Sequence, residues 1–194
     1  MARSEGEHTP AASGARKEAT VADAKDLEAR VQSLERTVAV REDIEAIKRL
    51  KHKYFRCLDC KLWDELAECF VGDATTSYTD GKYSLRGVDA IMGFLKKSLG
   101  ASTVLSVHQG HQPEIDMTSA TTAKGIWASE AGLIITDRNV STREVNFYHD
   151  EYVKMDGQWK IKHTGYRRVF EEVWDRGETK SLRLMANMFA QRKE

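Results

Sequence analysis

Hydrophobic positions recur at helical spacing through the first third of the chain and at alternating spacing through the last half. Between Ala24 and Asp59 there is neither Gly nor Pro, and Leu27, Val31, Leu34 and Val38 follow steps of four, three and four, the stripe of one helix face. Arg41 falls where the next apolar residue belongs, and the pattern restarts at Ile44, Ile47, Lys51 and Tyr54. The first part therefore reads as a short coiled segment for subunit contact and the second as a core helix. Leu62 to Phe70 predicts a second, shorter helix stopped by Gly72 and Asp73. A strand from Ala74 to Tyr78, a turn at Asp80-Gly81 and a strand from Lys82 to Leu85 follow. Gly87 to Leu99 predicts a third helix that ends at Gly100.

Beyond Gly100 the period changes to two. The predicted strands are Thr103 to Glu114, Thr121 to Glu130, Arg143 to Met155 and Gln158 to Val169, with Asp156-Gly157 a strong hairpin turn. A last helix is expected from Lys180 to Gln191, with Leu184, Met185, Met188 and Phe189 on one stripe. Helices first and a long antiparallel meander afterwards predict an α+β fold, with helices packed in the concave face of a strongly curved sheet and a long helix ahead of it. Residues 1–22 lack periodicity and are expected to be a disordered tail. Residues 23–41 form the leading helix, 42–172 the domain proper and 173–194 a C-terminal helix or tail.

A length of 194 residues suits one domain and a tail. Thirty basic against thirty acidic side chains give a formal net charge of +0, which removes the electrostatic case for nucleic acid or an acidic membrane and favours a small ligand. No apolar run approaches the roughly 20 residues of a membrane span and no signal peptide is visible, so a soluble, cytoplasmic chain is expected. Cys57, Cys60 and Cys69 are odd in number and close together, which cannot make a disulfide framework. Cys57-Leu58-Asp59-Cys60 closes a helical pattern instead of opening one, so helix-end packing is favoured over redox chemistry. His52 lies nearby, but the second ligand pair of a zinc site is missing. Gly-rich phosphate loops and the hydrolase and metalloprotease motifs are absent, and no cofactor or metal is expected.

What remains is polar residues set on apolar elements. Tyr54 lies on the core stripe five residues before Asp59, where the helix ends. His108 interrupts the apolar run Val104-Leu105-Ser106-Val107 and needs a hydrogen-bonding partner, which Asp59 could supply. An imidazole held in one tautomer by a carboxylate is a general base, and a phenol beside it is a proton donor or an anchor for negative charge. The set suits proton abstraction next to a carbonyl. Asp59 could instead cap the helix near Leu62, and Tyr54 could be an ordinary core tyrosine. His111 falls on the face opposite His108 unless the strand bulges, Trp127 reads first as core, and Arg168 shares the face of Lys160 and Lys162 unless a bulge turns it inward.

Asp43 to Lys51, Lys53 to Asp59, Trp63-Asp64-Glu65-Leu66, Thr76-Ser77-Tyr78 and Asp80-Gly81-Lys82 resemble the bile-acid 7-dehydratases, members of the SnoaL-like proteins with the cone-shaped nuclear-transport-factor fold. The resemblance continues through His108-x-Gly-His111-x-Pro113-Glu114-Ile115, Gly125 and Trp127, Asp156-Gly157-Gln158-Trp159, Thr164-Gly165-Tyr166 and Arg168. It implies Tyr54, Asp59 and His108 as the catalytic set, and Arg168, Trp127, Glu130 and His111 as substrate-binding positions. The acidic residue that the dehydratase pattern carries after the Trp127 strand is replaced by Ala131, with Glu130 beside it. The implied reaction is loss of water from a 3-keto-4-ene 7-hydroxy steroid to a 4,6-diene, without a cofactor, in a homo-oligomer, commonly a trimer. The alternatives are a ketosteroid isomerase or polyketide cyclase using the same acid and base, and a non-catalytic ligand-binding or assembly module.

Overall fold

A run free of Gly and Pro from residue 15 to residue 71 gives helix the longest uninterrupted stretch in the chain. In the computed structural model, which describes residues 13–190 and side chains from residue 23, this stretch holds helix α1, Ser13–Asp59. Residues 1–12 of the expected tail lie outside the described residues, and the helix begins ten residues before the start at residue 23 read from the sequence. The chain divides into two compact units, residues 1–42 and 43–194. In the first, Leu27, Val31, Leu34 and Val38 are all exposed.

In the second unit the helix ends in a Schellman arrangement. Leu62 N–H donates to the Cys57 carbonyl and Lys61 N–H to Leu58, with Lys61 in the left-handed region at φ 58°. The Lys61 ammonium donates to the carbonyls of Ala101 and Val104, so a lysine holds a place where glycine is usual. The stop fixes Asp59 in the last turn. Helix α2, Trp63–Ala67, is shorter than expected, because Phe70 already pairs with Ile161 and Gly72 and Asp73 belong to the strand.

Strands β1 (Phe70–Tyr78) and β2 (Tyr83–Arg86) form a hairpin, and helix α3 (Val88–Leu99) buries Ile91, Met92 and Leu95. Strands β3 (Val104–Met117), β4 (Thr122–Ile135), β5 (Val140–Met155) and β6 (Gln158–Asp175) follow as the expected meander. Their order is β2-β1-β6-β5-β4-β3, antiparallel except where β1 lies parallel to β6, a long-range pairing that local patterning does not signal. The fold is thus α+β, a curved and mainly antiparallel sheet with the end of α1 and with α3 packed on its inner face. The strands run beyond their predicted ends, and residues 180–190 form turns and irregular chain instead of a helix. There the Phe189 ring covers the Lys61 ammonium at 4.4 Å, and Met185 stays exposed, so the apolar stripe has no surface to bury against.

Bulges bend the sheet and reset which side chains face inward. On β6, Ile161 pairs with Tyr152 and His163 with Glu151, leaving Lys162 as the extra residue. Trp159 and Ile161 face the core before it, and Thr164, Tyr166 and Arg168 share the inner face after it. A second bulge at Val169 lies between the pairs Asn146–Arg168 and Val145–Phe170.

The core contains an ion pair. Lys51 Nζ lies 2.7 Å from Asp150 Oδ2, with both side chains wholly inaccessible. Thr164 and Tyr152 hydroxyls donate to Asp150, Trp127 Nε1 donates to the Tyr152 oxygen, and the ammonium lies 3.8 Å from the Tyr148 ring centroid. Burial pulls the Lys51 pKa down while Asp150 opposes it. Removing one partner strands a buried charge, so Asp150→Ala is expected to lower unfolding free energy by about 3–5 kcal/mol, as read from urea denaturation.

Candidate active site

The site is built where the end of α1 meets β3. Asp59 occupies the last turn of the helix, where the carbonyl ends make a carboxylate unfavourable unless donors meet it. Strand β3 supplies three: Ser106 Oγ donates to Oδ1 at 2.9 Å, the His108 backbone N–H to Oδ2 at 2.7 Å, and His108 Nδ1–H to Oδ1 at 2.6 Å. With both oxygens on β3, Asp59 is not a cap, and α2 begins at Leu62 without a side-chain cap bond. The carboxylate holds the imidazole proton on Nδ1 and leaves the Nε2 lone pair free. Phe55 stacks on the ring, its plane within 6° of the imidazole. Gly110 makes this possible, since a Cβ there would come within 2.6 Å of Phe55.

His108 lines a cavity of 260 Å³ between α1, α3 and the inner face of the sheet. Tyr54 enters it from α1 and Tyr78 from β1, their hydroxyl oxygens 3.1 Å apart. Burial raises the pKa of both phenols, which remain protonated donors at neutral pH. Tyr148, Tyr166 and Phe94 make most of the remaining wall apolar, while Glu144 and Asn146 bring polar groups from β5. One end of the buried Asn146 amide has no partner. The structure therefore brings Tyr54 and His108 to one cavity, with Asp59 bound to the imidazole from outside the lining, hydrogen-bonding groups on several walls and a largely aromatic lining. Such a site can remove a proton from carbon and stabilise the charge that results.

The other sequence candidates separate. Trp127 is wholly buried and spends its N–H on Tyr152, so it is a core group outside the cavity. Glu130 points to the outer face, where it pairs with Arg143, because strict alternation on β4 turns its neighbour Ala131 inward. His111 is exposed ahead of a β3 bulge at Gln112, whose φ is 48°. Arg168 is turned inward by the Lys162 bulge, with Nε 3.5 Å from Glu144. Cys57 and Cys69 are buried, and burial pushes the Cys69 thiol up to about 11, which suits packing and not redox exchange. Among the described residues no group of three or more His, Cys, Asp or Glu is gathered to hold a metal, and no helix is long and apolar enough to cross a membrane.

Tyr78, Glu144, Asn146 and Tyr148 were not singled out from the sequence. The signal was in β5, where Glu144, Asn146, Tyr148, Asp150 and Tyr152 alternate with Val145, Phe147 and His149. Its inner face is the polar one, the reverse of the usual reading of alternation.

A profile of the SnoaL-like domain matches residues 39–165. Among solved structures, a protein of Novosphingobium aromaticivorans assigned as a scytalone dehydratase is 29% identical, with TM-score 0.66 over 70% of this chain and 90% of its own. Hexachlorocyclohexane dehydrochlorinase LinA-type3 from Novosphingobium barchaimii is similar at 17% identity and TM-score 0.66, over 77% of this chain and 98% of its own. A type 2 dehydrochlorinase of the same name is similar at 19% identity and TM-score 0.64, over 71% and 92%. At these identities the two dehydrochlorinases share the fold.

Burial raises the Glu144 carboxyl above its ordinary 4.5, with Arg168 opposing and Glu171 reinforcing. Between the ordinary and the raised value the native state binds more protons than the unfolded one, so this group makes stability fall as pH rises through that window. Glu144→Gln is expected to flatten that slope, measured as the difference between wild-type and variant unfolding free energies from mildly acid to neutral pH.

Proposed function

The chain belongs to the SnoaL-like domain family, and from that premise we propose that it is a cofactor-free lyase that removes water from a cyclic ketone by acid and base catalysis. The observation that carries this reading is the Asp59–His108 pair opening into an aromatic cavity that also holds two buried phenol donors. The fold shared with proteins named as a dehydratase and as dehydrochlorinases supports elimination.

The substrate proposed is a 3-keto-4-ene steroid of bile-acid type with a 7-hydroxyl. Conjugation makes its C6 proton acidic. His108 takes that proton at Nε2, and Asp59 stabilises the imidazolium that forms. Of the paired Tyr54 and Tyr78 hydroxyls, one donates to the other and the second to the ketone oxygen as the dienolate develops. Collapse of the dienolate breaks the C7–O bond, the departing hydroxyl taking a proton from a donor on the cavity wall to leave as water and the 4,6-diene. The cavity, at 260 Å³, is just below the usual range of ligand pockets, about 300–1,000 Å³, so in this reading the reacting rings occupy it and the remainder of the steroid lies at its mouth. That volume also favours a second reading, a smaller bicyclic hydroxyketone dehydrated by the same groups.

Further copies of this chain are proposed as partners through α1. With Val31 and Val38 at a and Leu27 and Leu34 at d, Arg30 and Glu35 fall at g and the following e, placed to pair between parallel helices. Leu27→Asp/Leu34→Asp is expected to lower the mass read by light scattering. A wild-type mass of one chain removes this assembly.

The functional test is incubation with 7α- and 7β-hydroxy-3-keto-4-ene bile acids, followed by product mass and ultraviolet absorbance. Loss of one water with a red-shifted chromophore is expected, and an unchanged mass with a moved double bond would indicate an isomerase. His108→Gln is expected to lower turnover about 10²–10⁴-fold and Tyr54→Phe by a smaller factor, both with the native circular-dichroism spectrum. Undiminished turnover in both variants would overturn this catalytic site, and a wild type that turns over none of these substrates would leave a binding module.

A further inference from the structure

The β5 wall of the cavity carries a carboxyl group with no role in the steps above. Glu144 pairs across β4 with Ala131, and Ala131 pairs across β3 with His108, so the three residues stand in one row on the inner face. Two strand spacings separate the outer pair, about 10 Å between Cα atoms. Ala131 between them fills little of that space, and all three line the same cavity. The Glu144 side chain is 13% exposed. Its cationic neighbour, Arg168, holds Nε 3.5 Å away without completing a hydrogen bond, and that Nε has no other partner. A base on one strand thus faces an acid two strands away, across a gap kept open by a methyl group.

We propose that Glu144 is the general acid of this site, protonating the departing hydroxyl from the wall opposite His108. The assignment rests on the elimination reading and deepens it. In the step, His108 Nε2 takes the carbon-bound proton and the new C=C bond forms. The C–O bond breaks with its electron pair passing to oxygen, and the Glu144 carboxyl supplies the proton that completes water. The enzyme is left with an imidazolium and a carboxylate, and one proton passing from His108 to Glu144 through solvent restores both. Burial, which favours the neutral carboxyl, suits the start of the step, and Arg168 beside the carboxylate suits its end. The groups facing Glu144 are Tyr166, Arg168 and Glu171 from β6, His108 from β3, Tyr54 from α1 and Tyr78 from β1. With the acid on β5, Tyr54 and Tyr78 are left to hold the ketone oxygen.

The test compares wild type and Glu144→Gln on the 7-hydroxy steroid and on its 7-chloro analogue, whose chloride leaves without a proton. The variant is expected to lose about 10²–10⁴ in kcat on the hydroxy substrate, to stay within a few-fold of wild type on the chloro analogue, and still to exchange C6 hydrogen for solvent deuterium. Equal turnover of the hydroxy substrate by both proteins overturns the acid assignment and leaves the elimination reading standing. Parallel loss of both substrates and of exchange also overturns it, since Glu144 would then only support the fold. A wild type inert toward both steroids and toward a bicyclic hydroxyketone removes the elimination reading and this assignment with it.

Discussion

A lysine ammonium with no access to water imposes the constraint from which the rest of the domain follows. Lys51 sits on the stripe of α1 that packs against the sheet, and its charge is tolerable because Asp150 meets it at 2.7 Å. Asp150 in turn needs donors, and Thr164 from β6 and Tyr152 from β5 provide them. Trp127 from β4 completes the chain through Tyr152. One charge on the helix thereby fixes its rotation and depth against three strands. It also requires inward polar residues on β5, and the same row continues through Tyr148 and Asn146 to Glu144. Stability and chemistry share one strand face.

The second constraint lies two turns further along the helix. A carboxylate at a helix C-terminus is electrostatically misplaced, and the three donors of β3 offset that cost. Satisfying Asp59 therefore also fixes the register of β3 and the tautomer of His108. Phe55, pressed between Gly110 and the imidazole, prevents the ring from turning away. The pair is held by groups whose own positions are already determined by packing, which is what a base needs if its lone pair is to meet a substrate proton.

Much of this was legible in the sequence where period and punctuation agree. The helix through Tyr54, the stop near Asp59, the hairpins at Asp80-Gly81 and Asp156-Gly157 and the four-strand meander are local, and local rules recover them. The parallel contact of β1 with β6 is not local, and neither is the bulge at Lys162 that turns Arg168 inward. Glu130 and Ala131 show the sharper difficulty. They are adjacent in the chain but face opposite sides of β4, so an acid at one cannot stand in for an acid at the other. The polar inner row of β5 was hidden for a related reason, since alternation read by hydropathy assigns Val145 and Phe147 to the core. Lys51 on the apolar stripe, like His108 in its apolar run, was a sign that the core would be polar in places.

Parity, set by bulges, then decides what the cavity can do. With Lys162 looped out, Tyr166 and Arg168 join Glu144, Asn146 and Tyr148 on the concave face, and Lys160 stays outside, donating to the Glu68 carbonyl. Without that extra residue Arg168 would face outward, leaving Glu144 buried without a counter-charge and its ionised form harder to reach. The same reasoning separates the phenols from the imidazole. Tyr54 and Tyr78, whose buried hydroxyls resist ionisation, can donate but cannot accept a proton from carbon, while His108 has a carboxylate behind it to stabilise the cation it becomes. In the proposed elimination, acceptance of the carbon proton therefore falls to β3, donation to the ketone oxygen to α1 and β1, and the remaining ionisable group on the wall belongs to β5.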